Sequence, residues 1–183
     1  MSPTMPRFAL AARVIHWIMA VMILAMLFIG IGMVSTVGEL YSRLIAIHRP
    51  LGIAILAFAI LRLVVRFTNK PPPLPADLPM IQKLAAHGSH LALYALMIAM
   101  PLVGWGMLSA GGYPIVMASG FHLPPILPHD LFLYGLLRQA HTWLALALFA
   151  VFLAHLAAAL MHGLIRQDGV FSSMASFGRR GGV

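Results

Sequence analysis

The amino-acid sequence predicts an all-α integral membrane protein, a bundle of four transmembrane helices in a single domain. Hydrophobic residues make up 61% of the 183 residues and charged residues only 9%, whereas about a quarter of the residues in a soluble domain are charged. Four apolar segments are each long enough to cross a bilayer, which takes about 20 helical residues. Unpaired backbone groups are too costly in lipid for open strands, so each segment is expected to be a helix.

The four predicted helices cover about residues 13–34, 42–67, 84–109 and 136–165. The apolar stretch of the first is about 19 residues long, which exceeds the 7–15 residues of a signal-peptide core. We therefore expect it to be retained as a helix rather than cleaved. The connection between the third and fourth helices, AGGYPIVMASGFHLPPILP, is long and rich in glycine and proline. It is expected to form a lid over the outer end of the bundle.

Lysine and arginine residues are distributed unevenly between the two ends of these helices. One side carries Arg43, Arg49 and Arg138. The other side carries Arg7, Arg13, Arg62, Arg66, Lys70, Lys83, Arg166, Arg179 and Arg180. The richer side is cytoplasmic by the positive-inside rule, so both termini are predicted to lie in the cytoplasm. Because the net charge of +8 is concentrated at helix ends, it indicates contact with anionic lipid headgroups rather than with nucleic acid.

Composition also restricts the possible cofactors. The sequence contains no cysteine, which excludes disulfides, thiolate-bound iron–sulfur clusters and covalent attachment of c-type haem. It contains nine histidines, and most of them lie in or near the apolar segments. Ionisable residues inside a membrane are costly and usually functional. The histidines are therefore the first candidates for a site.

The strongest spacing signal is in the fourth helix, where His141 and His155 lie 14 residues apart. At 100° and 1.5 Å per residue they differ by about 40° in direction and by about 21 Å along the helix axis. Two imidazoles on one helix face at this separation can each hold a haem, one near each membrane surface. The spacing therefore predicts a dihaem protein.

Each haem iron then needs a second axial ligand at matching depth. His48 enters the second helix from the outer side, where His141 also lies. His16 enters the first helix from the inner side, towards which His155 points. The predicted ligand pairs are therefore His48 with His141 and His16 with His155. Ligation by two imidazoles leaves no open coordination site, which suits electron transfer.

Alternatives to this assignment stay open. His162 is seven residues beyond His155 and differs from it by about 20° in direction, so it can also serve the inner iron. His90 is a further alternative for the same iron. A metal channel or a proton relay is the main competing use of these histidines. However, the sequence has only four acidic residues, all of them outside the apolar cores, which counts against a cation transporter.

Four stretches of the sequence resemble the bacterial cytochrome b561 family of four-helix dihaem membrane proteins. These stretches are RVIHW, IAIHRPLGIAILAFAILRLVVRF, AAHGSHLALYALMIAMPLVGW and QAHTWLALALFAVFLAHLAAALMHG. They are spread along the chain, and the resemblance covers nearly all of it. The resemblance implies two b-type haems and a bacterial inner membrane. It also implies the haem-iron ligands His16, His48, His141 and His155.

Within the family, short single-domain members look most similar to this chain, and the resemblance implies oxidation of superoxide and reduction of ubiquinone. Cations at the outer end would attract the superoxide anion. Arg49 directly follows His48, and Arg138 lies three residues before His141. Both are therefore candidates for superoxide attraction, or for pairing with haem propionates. The alternatives are an electron-carrying subunit that serves a partner dehydrogenase, and a haem-free transporter or structural protein.

A quinone needs hydrogen-bond donors and protons, and histidine titrates in the useful range. His87, His90 and His162 are grouped at the predicted inner end and are the candidate quinone residues. A quinone site at the outer end, near His122 and His129, is the alternative. The candidate partners of haem propionates or lipid headgroups at the inner end of the second helix are Arg62 and Arg66.

Overall fold

The computed structural model describes residues 6–117 and 120–176. The four long helices are α1 (Leu10–Ser35), α2 (Glu39–Thr68), α3 (Met80–Ala110) and α4 (Leu131–Leu160). Each of them is long and apolar enough to cross a membrane. The predicted four-helix membrane fold is therefore confirmed. Arg179 and Arg180, which contribute to the predicted charge asymmetry, lie outside the described residues.

The helices α1, α2 and α3 extend beyond both of their predicted ends, whereas α4 begins early and ends at Leu160, from which a π-helical turn continues to Arg166. The prediction followed the apolar cores, whereas the helices also include flanking polar turns, such as residues 39–41 of α2 and residues 80–83 of α3. The largest difference is at the beginning of α4, which starts at Leu131 rather than near residue 136. The side chain of Asp130 accepts a hydrogen bond from the Leu133 amide at 2.9 Å. This N-cap satisfies a backbone donor that would otherwise have no partner at the helix start.

The helices run antiparallel and form two distinct ends. The terminal end holds the beginning of α1, the α2–α3 connection and the end of α4, and the opposite end holds the α1–α2 and α3–α4 connections. The contacting helix pairs are α1 with α2, α2 with α3, and α3 with α4. The buried core lies mainly among α1, α2 and α3, where Met19, Ala59 and Met97 meet. Most other apolar side chains of the helices face outward, as expected for a protein whose solvent is lipid.

The α3–α4 connection folds back over the opposite end. Its two short strands, β1 (Ile115–Val116) and β2 (His122–Leu123), pair antiparallel, and they are a small exception to the predicted all-α fold. Trp105 Nε1 in α3 donates to the Pro124 carbonyl at 2.9 Å. Arg49 in α2 donates to the Pro114 carbonyl at 3.3 Å. The connection therefore contacts both helices, in the position expected of a lid.

The chain after α4 folds back at the terminal end and contacts the beginning of α1. A π-helical turn, Met161–Arg166, follows α4 directly, and the short helix α5 (Val170–Ala175) then packs back against the turn. A Cβ atom on Gly163 would lie 3.0 Å from Phe171 Cγ, so glycine permits this close approach. The Phe8 amide donates to the Ser173 carbonyl at 3.2 Å. Trp17 Nε1 donates to the Met174 carbonyl at 3.3 Å, which ties α5 to the beginning of α1.

Replacement of Asp130 by alanine is expected to destabilise the protein by about 1 kcal/mol, because the N-cap of α4 is lost. Asp130→Asn is the control, since asparagine caps helices about as well as aspartate. The measurement is the midpoint of denaturant-induced unfolding in detergent, followed by circular dichroism. Equal destabilisation by both substitutions would show that the charge of Asp130, and not its cap, stabilises this end of α4.

Candidate functional site

At the opposite end of the bundle, His48 of α2 faces His141 of α4. The centres of the two imidazole rings are 6.1 Å apart and their planes are inclined by 66°. Among the described residues, no hydrogen-bond partner lies within reach of the buried His48 Nδ1. A buried imidazole nitrogen is normally satisfied, so this pair has the character of a ligand-binding site rather than of a hydrogen-bonded structural contact.

At the terminal end, His155 of α4 faces two other histidines. Its ring centre is 6.4 Å from that of His16 in α1. It is 5.3 Å from that of His90 in α3. The helices that supply His16 and His90 both pack against α2. His155 therefore lies close to both of these histidines.

The ring separations can be compared with those required by a metal held between two imidazoles. A metal–nitrogen bond of about 2.0–2.1 Å on each side, with about 1.2 Å from each nitrogen to its ring centre, places the two ring centres about 6.4–6.6 Å apart. The separation of 6.4 Å for His16 and His155 matches this range, and the separation of 6.1 Å for His48 and His141 is slightly shorter. The separation of 5.3 Å between His90 and His155 is about 1 Å too short. By ring separation alone, His16 lies at the distance that a shared metal would need, and His90 lies closer.

Helix packing leaves room between these facing rings. Among the described residues, α4 packs closely along α3 but has few close backbone contacts with α1 or α2. The histidine pairs therefore face each other across a gap between α4 and the α1–α2 pair. The His141 ring also lies against α3, where a Cβ atom on Gly104 would be 3.2 Å from His141 Cε1. The missing side chain of Gly104 thus allows α3 to approach the His141 ring closely.

Arg62 of α2 adds a positive charge to the terminal-end site. Its Nη1 donates to His16 Nδ1 at 2.7 Å, and its Nε donates to the Tyr94 hydroxyl at 3.1 Å. A cavity next to these groups is lined by both Arg62 and Arg66, with Tyr94 and Asn69. Two guanidinium groups in one cavity suit a carboxylate or phosphate ligand, as expected for residues that bind haem propionates or headgroups. Tyr94 was not identified from the sequence, although it lies four residues after His90 on the same face of α3.

The three histidines predicted as quinone residues lie in three different environments. His87 is exposed, and its Nδ1 donates to the Lys83 carbonyl at 2.7 Å. His90 lies against His155 in the interior. His162 is mostly buried and bonds Asp168 at 2.7 Å. They share the terminal end but do not form one cluster.

Two of the three arginines at the opposite end lack a carboxylate partner among the described residues. Arg43 is exposed and pairs with Glu39 at 2.5 Å. Arg49 is half-buried beside His48 and bonds only the Pro114 carbonyl. Arg138 is exposed on the outer turns of α4. The acidic residues at this end are Glu39, which pairs with Arg43, and Asp130, which caps α4. Arg49 and Arg138, the two residues that the sequence singled out, are therefore the cations here without a carboxylate partner among the described residues.

Comparison with known proteins identifies the family. The family model for prokaryotic cytochrome b561 matches residues 7–177. The chain belongs to this family. It is 30% identical over 174 residues to cytochrome b561 homolog 2 of Escherichia coli K12, covering 93% of this chain and 92% of the relative. It is 33% identical over 129 residues to the probable superoxide oxidase CybB of Yersinia pestis, covering 70% and 72% of the two chains. Cytochrome b561 homolog 1 of E. coli K12 is 26% identical over 179 residues, covering 93% and 97%.

Membership in the cytochrome b561 family confirms the resemblance seen in the sequence. The chain is therefore a multi-pass membrane protein that binds b-type haem and transfers electrons across the membrane. Haem binding rules against the haem-free transporter or structural protein that the sequence left as an alternative. The facing histidine pairs suit this cofactor, because imidazole is a common axial ligand of haem iron.

Gly104→Ala is expected to disturb the His141 ring, because the added Cβ would lie 3.2 Å from Cε1 and the ring would have to move. The expected result is a changed absorption or electron paramagnetic resonance signal from one haem. The control is Gly88→Ala in the same helix, where an added Cβ meets nothing within 4 Å. Identical spectra for wild type and Gly104→Ala would show that Gly104 does not support the ligand.

Proposed function

We propose that this cytochrome b561 carries electrons through two b-type haems in a bacterial inner membrane, with superoxide as the donor and ubiquinone as the acceptor. Superoxide would be oxidised at the opposite end of the bundle, and ubiquinone would be reduced at the terminal end. Both termini would lie in the cytoplasm, in agreement with the excess of lysine and arginine at that end.

The observation that carries this proposal is that histidines face each other at both ends of α4. In the proposed protein, His48 and His141 hold one haem, and His16 and His155 hold the other. Both ring separations suit a metal between two imidazoles, and the α4 ligands are separated by about 21 Å along the helix. Haem held in this way supplies reversible one-electron chemistry with no open site for oxygen at the iron.

The charges at the opposite end support superoxide as the donor. A local positive potential raises the capture rate of a small anion. Glu39 pairs with Arg43 and Asp130 caps the start of α4, so in this proposal the attraction rests on Arg49 and Arg138, neither of which pairs with a carboxylate among the described residues. Arg49 is held by the Pro114 carbonyl next to the ligand His48, which places its charge where an electron would enter. The similarity to the probable superoxide oxidase of Y. pestis supports the same donor.

The proposed reaction balances with two superoxide anions for each quinone. Each superoxide loses one electron and leaves as dioxygen. The quinone takes up the two electrons together with two protons and becomes the quinol. In this proposal the protons come from the cytoplasmic side, where His87 is exposed and His162 is held by Asp168. Arg62 and Arg66 would pair with the propionates of the haem at the terminal end, since both line its neighbouring cavity.

Haem content tests the ligand assignment. Wild type is expected to bind two haems per chain, and His48→Ala, His141→Ala, His16→Ala and His155→Ala are each expected to bind about one, because each removes one axial bond. The measurement is the pyridine haemochrome absorbance relative to protein concentration. His90→Ala is the control for the terminal end and is expected to retain both haems. Loss of a haem from His90→Ala, together with retention of both in His16→Ala, would reverse the assignment.

Rapid mixing with superoxide tests the donor. The haems of the wild-type protein are expected to become reduced, and the double replacement of Arg49 and Arg138 by alanine is expected to slow this reduction about tenfold or more. Added salt should slow the wild type and have little effect on the double variant, because salt screens exposed charges.

Arg43→Ala is the matched control, since the charge of Arg43 is already compensated by Glu39. An equal effect of Arg43→Ala would contradict the assigned role of Arg49 and Arg138. Haems that stay oxidised in the wild type would contradict superoxide as the donor and favour a carrier that serves a partner dehydrogenase.

A further inference from the structure

The terminal end contains a chain of polar contacts centred on His162. His162 Nδ1 bonds Asp168 Oδ2 at 2.7 Å, and Arg166 Nε donates to the same oxygen at 3.1 Å. The other end of the Arg166 guanidinium donates to Asp77 at 2.9 Å. The sequence has only four acidic residues, and two of them meet here. Such a concentration in a chain with so few carboxylates points to a role for this contact chain.

The environment of Asp168 keeps it ionised. Burial raises the pKa of its carboxyl, but hydrogen bonds from His162, the Val170 amide and Arg166 outweigh this effect, and the pKa lies below its ordinary value. The side chains of His162 and Asp168 are each only 13% exposed. An ionised carboxylate can only accept hydrogen bonds. His162 Nδ1 must therefore carry a proton, and its Nε2 is the nitrogen left for a ligand.

We propose that Asp168 is a positioning residue for proton transfer: it fixes the orientation of His162 through Nδ1–H and stabilises the doubly protonated ring, so that Nε2 can give a proton to the quinone. This proposal rests on the proposed reduction of quinone at the terminal end. The chemistry is that of a carboxylate that orients a catalytic imidazole, a role in which loss of the carboxylate produces the wrong tautomer. His162 is the residue that would touch the quinone, and Asp168 acts through it.

The backbone around this pair is built to hold it in place. The π-helical turn that contains His162 is a rare conformation that is frequent at functional sites. Gln167 follows it with a positive φ of 50°, and Gly169 has a φ of 83°. This reversal brings Asp168 back to His162, six residues earlier in the chain. A non-glycine residue in the left-handed region is uncommon, so the surrounding contacts, including the packing of Phe171 on Gly163, must stabilise the turn.

The proposed step moves one proton at a time. With both ring nitrogens protonated, His162 gives its Nε2 proton to a quinone oxygen as an electron reaches the quinone. The Nδ1 proton stays between His162 and Asp168. His162 is then neutral, and a proton taken up from the adjacent aqueous phase restores the Nε2 proton. A second electron and a second proton complete the quinol, so that two electrons and two protons are taken up in all.

Asp168→Asn tests this role in the haem-loaded protein. The probe is ubiquinone-1, and the measurement is the rate at which it reoxidises the reduced haems between pH 5.5 and pH 8.5. The maximal rate is expected to fall about tenfold or more, as for loss of effective acid catalysis, while the KM for ubiquinone-1 changes less than twofold. The pH dependence of the rate is expected to shift, and Asp168→Glu should restore most of the rate.

Asp77→Asn is the matched control. It removes a carboxylate from the same contact chain but leaves the bond between Asp168 and His162, so it is expected to keep the wild-type rate and pH profile. Haem content and absorption spectra of all variants are expected to match wild type, which separates a positioning role from misfolding. Nitrogen-15 spectra of the ring of His162, assigned with His162→Gln, should show the proton on Nδ1 in wild type and its displacement in Asp168→Asn.

The outcomes separate this proposal from the proposed function. If ubiquinone-1 reoxidises the wild type and Asp168→Asn at the same rate, with His162 still protonated at Nδ1, the role of Asp168 is overturned and quinone reduction stands. If Asp77→Asn slows the reaction as much as Asp168→Asn, the effect is one of local charge or folding, and the positioning role is again overturned. If ubiquinone-1 does not reoxidise the wild type, the proposed acceptor is wrong and the role of Asp168 falls with it.

Discussion

The helical period of α4 is the constraint on which the rest of the structure depends. In lipid the backbone must satisfy its own hydrogen bonds, so a spanning segment has little choice but to be a regular helix. That regularity places His141 and His155 on one face and near opposite membrane surfaces. The other helices are arranged around this face: α3 packs directly against α4, with Gly104 beneath His141, while α1 and α2 approach it through their own histidines.

The two ends of the bundle differ in charge and in construction. At the opposite end, a Gly- and Pro-rich connection is hydrogen-bonded to Arg49 of α2 and to Trp105 and Ser109 of α3, and Arg49 and Arg138 lack a carboxylate partner among the described residues. At the terminal end, the chain after α4 turns back onto α1 and joins two carboxylates to His162 and Arg166. The proposed entry of an anion at one end and uptake of protons at the other follow this difference.

Four of the histidines at the terminal end differ in their contacts. His16 and His155 lie at a distance that suits a metal between them. His90 lies closer to His155 than such an arrangement permits, and His162 is directed to Asp168 instead. Sequence spacing favoured His155 and left His162 and His90 as alternatives for the inner iron. Only the relative positions of α1, α3 and the π-helical turn distinguish them.

Hydropathy and spacing were sufficient to predict four membrane helices and the facing histidines of α2 and α4, because both depend on local chemistry and on the period of a single helix. Neither predicted where the helices end, since polar turns and the Asp130 cap extend them past their apolar cores. Nor did they reveal the contacts of Tyr94 with Arg62 or of Asp168 with His162. The contact of Tyr94 with Arg62 joins two separate helices, and the contact of Asp168 with His162 depends on a chain reversal at Gln167 and Gly169. Both contacts are determined by the tertiary structure, because neither follows from the period of a single helix.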